Sequence, residues 1–220
     1  MRIAGKLTVK DWKELSENLD EDNNRNWGVA VHFFEERVRT RYLKPIRAIL
    51  RIEENNGEGF AVVNLQCSLI ETIECFINGW IYNTQDFKWY NKTINNGLAK
   101  IDGANLKRND KIFTSFLEKR EPFKNFEIDG EVFFKNVRCA LLHETQTKNN
   151  WLIKKDSSKT KCYEERGEMK IIYRDQFQDD LEELIKNYKK ALVKGEEFDG
   201  ISSVNLRANY KSKLKHICKQ

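Results

Sequence analysis

Proline is nearly absent from this chain: only Pro45 and Pro122 occur among its 220 residues. A proline inside a helix removes a backbone donor and clashes with the preceding turn, so its scarcity leaves long stretches free to be helical. The apolar spacing uses that freedom. Thr8 stands where it can cap a short helix running to about Leu19, which the polar run LDEDNNRN then breaks. A long helix is predicted over about 26–52, with Val29, Val31, Phe33, Phe34, Val38, Ile46 and Ile49 among its apolar positions and a kink at Pro45. ENNGEG at 54–59 reads as a loop. The next helix, about 58–80, carries Phe60, Val63, Leu69, Ile70, Ile73 and Phe76 and ends near Gly79.

The chain changes character twice further on. Residues 83–110 are rich in Asn, Lys and Gly and read as a connecting segment with an aromatic patch, Phe87, Trp89 and Tyr90. Phe113, Phe116 and Leu117 indicate a short helix before Pro122, and another helix is expected over about 129–145. From Trp151 to Tyr173 the runs WLI, KCY and MKIIY, separated by polar turns, predict two or three short strands. The acids-first, lysines-last segment DQFQDDLEELIKNYKKALVKG returns to helix, as the helix dipole favours, and a last helix covers about 202–218. The expected fold is mainly α: a helical bundle over residues 1–220 as one domain, with a small β-hairpin or sheet insertion at about 151–175.

Composition narrows the function classes. With 13 Phe, 7 Tyr and 5 Trp the chain has material for a sizeable core, which argues against disorder. The net charge of +5 permits a polyanionic partner without requiring one. Five cysteines, odd in number and without paired CxxC spacing, fit free thiols in a reducing compartment. No apolar run reads as a signal peptide or a membrane span, so the expectation is a soluble cytoplasmic protein without membrane contact.

The residues that can carry chemistry concentrate at 133–151, FFKNVRCALLHETQTKNNW. Arg138 is a permanent cation able to hold a phosphate, and His143 can give or take a proton near pH 7. Together they suffice for phosphoryl transfer without a metal or other cofactor. At roughly 100° per residue, Phe133, Phe134, Val137, Ala140 and Leu141 form one apolar face. Arg138 and His143 then fall at its opposite edges, about 140° apart, with Lys135, Cys139 and Leu142 in the sector between. A second copy packed over that sector would close a cleft.

The segment VRCALLH resembles the Arg, four to six residues, His motif of the HEPN superfamily of helical-bundle nucleases. The surrounding stretches RTRYLKPI at 39–46, GEGFAVVNLQCSLIE at 57–71 and NVRCALLHETQTKNNW at 136–151 are similar to uncharacterised bacterial HEPN-like proteins. The resemblance implies a homodimeric, metal-independent endoribonuclease with Arg138 and His143 as catalytic residues and RNA as partner. It also implies a place among toxins or phage-defence effectors, with an antitoxin or other defence partner. Cys139 stands where many active members have Asn, Asp or His, and Thr145 where one toxin branch has Tyr. Those departures support the alternative: a catalytically silent module that binds RNA, a nucleotide or a protein.

Other residues are weighed against plainer roles. Glu71, mid-helix in CSLIETIE, is placed to pair with Arg138 or Arg41 and orient a guanidinium, or to be an exposed acid. Cys139 and His143 lie at i, i+4, yet no further pair supplies a third and fourth metal ligand, so no metal is expected. Glu144 falls near the apolar stripe and is expected to cap or bond in the core. Arg39 and Arg41 could extend a phosphate track but read better as a solvated face. Gly57 and Gly59 could present amides to an anion without forming a full phosphate loop. Lys211, Lys213, Lys215 and Lys219 form a basic tail.

Overall fold

The computed structural model describes residues 1–52, 57–83, 88–91, 99–100 and 110–219. The protein is mainly α-helical with small sheets. It divides into two compact units, one made of residues 1–41, 72–108 and 186–220, the other of 42–71 and 109–185.

The first unit opens on a feature the apolar spacing did not announce, a two-stranded hairpin of β1 (Arg2–Ala4) and β2 (Leu7–Thr8). Helix α1 (Val9–Ser16) follows, and Thr8 caps it as expected: Thr8 and Asp11 bond reciprocally in a capping box. Helix α2 (Trp27–Val38) then supplies Phe34, whose ring centroid lies 5.0 Å from Phe76 and 5.3 Å from Tyr188. Val29 faces outward instead, 57% exposed, so the apolar stripe of this helix is narrower than its spacing suggests. Phe76 belongs to α4 (Glu58–Asn78), Tyr188 to α8 (Arg174–Lys194) and the fully buried Tyr210 to α9 (Ser203–Ile217). The Tyr210 ring meets Trp12, Trp27 and Phe76, and its hydroxyl donates to the Ala30 carbonyl. Burying each such ring contributes on the order of 1.5–3 kcal/mol.

Residues 83–110 are not simply a connection. Among the described residues β3 (Trp80–Asn83), β4 (Lys88–Asn91) and β5 (Ala99–Lys100) form an antiparallel sheet in that order, while Phe87 lies outside the described residues. Gly79, at φ 66°, makes the turn from α4 into β3. A Cβ there would stand 2.8 Å from Asn209 Oδ1 and 3.1 Å from Asn209 Cα, so only glycine lets α9 approach so closely. Asn209 Nδ2 completes the junction by donating to the Ile77 carbonyl at 2.8 Å.

The helix expected over 26–52 is broken into α2, a π turn at Arg39–Leu43 and α3 (Lys44–Leu50). Pro45 lacks the N–H that an α-helix would send to the Arg41 carbonyl, and the wider π turn accommodates that missing bond just ahead of it. Helix α4 corrects another expectation. By length and composition it could cross a membrane, although 61% of its most apolar stretch is buried within the protein.

The second unit packs α5 (Asp110–Lys119) against α6 (Gly130–Phe133). Phe133 stacks on Phe113 at 5.8 Å and on Phe177 at 6.2 Å, with Trp151 edge-on at 5.5 Å. The strands expected near 151–173 are β6 (Trp151–Lys154), β7 (Tyr163–Arg166) and β8 (Met169–Tyr173), in the order β6–β8–β7, with β6 parallel and β7 antiparallel to β8. Phe60, expected in the core, is 39% exposed. The close approach of α5 and α6 requires Gly130, because a Cβ there would lie 2.3 Å from Thr114 Cα and 2.5 Å from Thr114 N. Backbone cannot yield as a flexible side chain can. Gly130→Ala is therefore expected to destabilise the protein by about 1–3 kcal/mol in a urea titration, and an unchanged midpoint would contradict this packing.

Candidate functional site

The segment that holds Arg138 and His143 is not one regular helix. Helix α6 passes into a π turn at Phe134–Cys139, and α7 (Ala140–Glu144) completes it. Within the π turn lies Asn136, a residue that apolar spacing does not single out. Asn136 is 5% exposed, and its side-chain Nδ2 donates to the Val132 carbonyl at 3.0 Å. That carbonyl lies one turn back along the segment, so the amide bonds within its own helix. The Asn136 Oδ1 accepts from Asn149 Nδ2 at 2.6 Å, and its carbonyl accepts from Lys148 N at 3.0 Å. One buried residue thus ties the π turn to the loop that follows α7. Its signal in the sequence was a lone Asn beside apolar core positions.

The angles of a regular wheel therefore do not hold through this segment. Its apolar face survives: Phe133, Val137, Ala140 and Leu141 are buried, and Phe134 is half-buried. Arg138 leaves from the π turn and its Nε donates to Glu71 Oε1 at 2.8 Å. The two side chains are 15% and 22% exposed, which makes this a partly buried ion pair, less screened by salt than a solvated one and costly to break by removing one partner. Among the described residues the two Nη groups of Arg138 make no hydrogen bond, so that edge of the fork is available to an anion.

Cys67 and Glu71 stand four residues apart on one face of α4, so the thiol lies on the side that meets Arg138. Burial pushes the Cys67 thiol up, with the Arg138 charge acting in the opposite direction. Burial also raises the Cys139 thiol above its ordinary value; Arg138 opposes this, while the charges of Glu71 and Asp110 add to it. Cys139 is consequently a poorer nucleophile at neutral pH than an ordinary thiol.

His143 sits in the last turn of α7, exposed, and makes no hydrogen bond among the described residues. Leu142 beside it is 51% exposed. Helix α7 stops at Thr145, which takes a left-handed conformation at φ 58°. Glu144 does not enter the core as expected: it is exposed and pairs with Lys148 one turn on.

The remaining candidates lie elsewhere. Arg41 belongs to the first unit, where its Nη2 donates to the Ile3 carbonyl at 3.2 Å beside Arg37 Nη1 at 2.8 Å. It is thus the hairpin, not Glu71, that holds Arg41. Arg39 forms a two-bond fork with Glu36 at 2.7 and 2.6 Å, so the arginine track is occupied by the fold itself. Gly59 packs against Arg174, whose Nη1 would lie 3.0 Å from an added Cβ. Among the described residues no three His, Cys, Asp or Glu side chains group as a metal ion would need.

Comparison of the chain with protein-family models, with curated proteins and with solved structures finds no match. The site must be read from its own geometry. That geometry is a guanidinium steadied by a carboxylate with one donor edge open, flanked by a protonated thiol, and an exposed imidazole on the same segment.

The electrostatics can be checked at Cys139. Replacing Glu71 by Gln removes a negative charge that disfavours the thiolate, so Cys139 should release its proton more readily. Site-resolved alkylation by iodoacetamide at pH 8 should then run about two-fold faster or more in Glu71→Gln than in the parent protein. An unchanged or slower rate would contradict the arrangement.

Proposed function

We propose that this protein is a metal-independent endoribonuclease of the HEPN type, acting on RNA as a homodimer. What carries the reading is Arg138 held through Nε by Glu71 with both Nη groups open among the described residues, on the segment that bears the exposed His143. A fixed guanidinium with two free donors suits the non-bridging oxygens of a phosphodiester, whose charge grows in the transition state. An imidazole open to solvent suits proton transfer at the ribose 2′-OH or the leaving 5′ oxygen. The products would then be a 2′,3′-cyclic phosphate and a 5′-OH. The exposed Leu142 next to His143 gives a second copy an apolar surface to cover. A toxin or phage-defence role in the cytoplasm, with an antitoxin or defence partner, belongs to the same reading, and the free state of all five cysteines suits that compartment.

One observation favours a second reading. Glu71 offsets the charge of Arg138, which weakens its hold on an anion, and this suits a silent HEPN-like module that binds RNA, a nucleotide or a protein without turnover.

The two separate in one experiment. Purified protein with EDTA present should cleave single-stranded RNA, at a rate that varies between about pH 5 and 8 as an imidazole mechanism requires. Arg138→Ala and His143→Ala should each lower the rate by roughly 100-fold or more. The His143 variant, changed at an exposed side chain, should keep its stability within about 0.5 kcal/mol. Equal cleavage by parent and His143→Ala would remove His143 from the mechanism, and binding without turnover in every form would establish the silent module.

A further inference from the structure

The sheet β3–β4–β5 in the first unit presents two dissimilar faces. In the register of β3 and β4, Trp80 faces Asn91, Ile81 faces Tyr90 and Tyr82 faces Trp89. Successive residues of a strand point to opposite sides, so Trp80, Tyr82 and Trp89 share one face while Ile81 and Tyr90 share the other. Ile81 is buried, which makes its side the one turned to the core. The aromatic side is therefore the outer one: Tyr82 is 36% exposed, and Trp80 and Trp89 are half-buried. The Tyr82 and Trp89 rings lie 5.1 Å apart, tilted by 52°.

A cation is fixed beside these rings. Lys213 of α9 donates to the Trp80 carbonyl at 2.7 Å, and its ammonium stands 5.9 Å from the centre of the Trp89 ring. The carbonyl holds the ammonium without neutralising it, unlike Lys211, which is paired with Glu21 at 2.9 Å. The sequence around the sheet is basic too. Helix α9, which supplies Lys213, also carries Arg207, Lys211 and Lys215 and contains no acid.

We propose that this face is a stacking platform for single-stranded RNA, with bases laid on Tyr82 and Trp89 and a backbone phosphate on Lys213. Partly exposed rings on a sheet with a fixed ammonium at their edge match what an unpaired polynucleotide offers, flat π faces joined by regularly spaced negative charge. A duplex would hide its base faces. An apolar protein partner would leave the lysine uncompensated, and a cationic ligand would be repelled by it. That the strand is RNA rests on the ribonuclease reading above, whereas the platform rests on the sheet alone.

The test uses the full chain carrying His143→Ala, so that no probe is cleaved, and a fluorescein-labelled oligouridylate of twelve nucleotides followed by anisotropy. Adding Tyr82→Ala or Trp89→Ala should weaken binding about ten-fold or more each, while Tyr82→Phe, which keeps the ring, should stay within about two-fold. Lys213→Gln should reduce the slope of log affinity against log salt by about 0.7, as one lost phosphate contact requires. Circular dichroism melts confirm that each variant is folded, and the exposed Tyr82 gives a substitution that leaves the core untouched. Binding unchanged in Tyr82→Ala, or a duplex of the same length bound as tightly, would overturn the platform. Cleavage by the parent chain with ring variants that bind normally would sink this inference and leave the nuclease reading; ring-dependent binding without cleavage would do the reverse.

Discussion

The ion pair between Arg138 and Glu71 is the interaction on which the candidate site depends. It ties α4 to the motif segment, sets the direction of the guanidinium and leaves its Nη edge open. It also sets the electrostatics around it, since the charges of Arg138 and Glu71 act with opposite sign on both Cys67 and Cys139. In a partly buried setting neither partner is easily dispensed with: removing one leaves the other's charge poorly solvated. The arrangement holds an arginine still through Nε–H while keeping its Nη donors in reserve, which is what recognition of a phosphodiester needs.

Two π turns shape the chain at its most interesting arginines, and they arise differently. The one at Arg39–Leu43 precedes Pro45, whose missing N–H interrupts the helical ladder. The one at Phe134–Cys139 contains Asn136, whose side chain donates to the Val132 carbonyl. Only the second delivers a guanidinium to a carboxylate on a neighbouring helix. The first turns Arg41 to a backbone carbonyl of the N-terminal hairpin, which makes it a structural cation.

Much of the helical framework was legible because helical periodicity is a local signal. The cap at Thr8, the end of α4 at Gly79 and the strands near 151–173 follow from residue types and spacing alone. The pairing of Glu71 with one of two arginines was legible as a choice; which arginine depends on tertiary packing, and Arg138 is the partner. What spacing could not give depends on long-range contacts. The hairpin at the N-terminus is too short to show a period, and the sheet at 80–100 is built from strands of two to four residues set in an Asn- and Lys-rich stretch that reads as a connection. Arg207 was invisible for the same reason. It is 2% exposed and gathers the carbonyls of Glu21 and Leu192, both at 2.9 Å, bonds that no local pattern reveals. Asn136 and Gly130 likewise act through partners distant in sequence or on another helix.

The central claim is that Arg138 stays bound to Glu71 through Nε while its Nη groups take up a phosphate. Nitrogen-15 NMR of the arginine side chains in the full protein, titrated with a 2′-deoxy oligonucleotide that cannot be cleaved through a 2′-OH, reads both ends of the guanidinium at once. The account predicts that the Nε–H signal of Arg138 remains slow to exchange throughout while its Nη signals shift and saturate, and that Glu71→Gln speeds exchange at Nε. An Nη response that is absent, or an Nε–H released as the ligand binds, would contradict it.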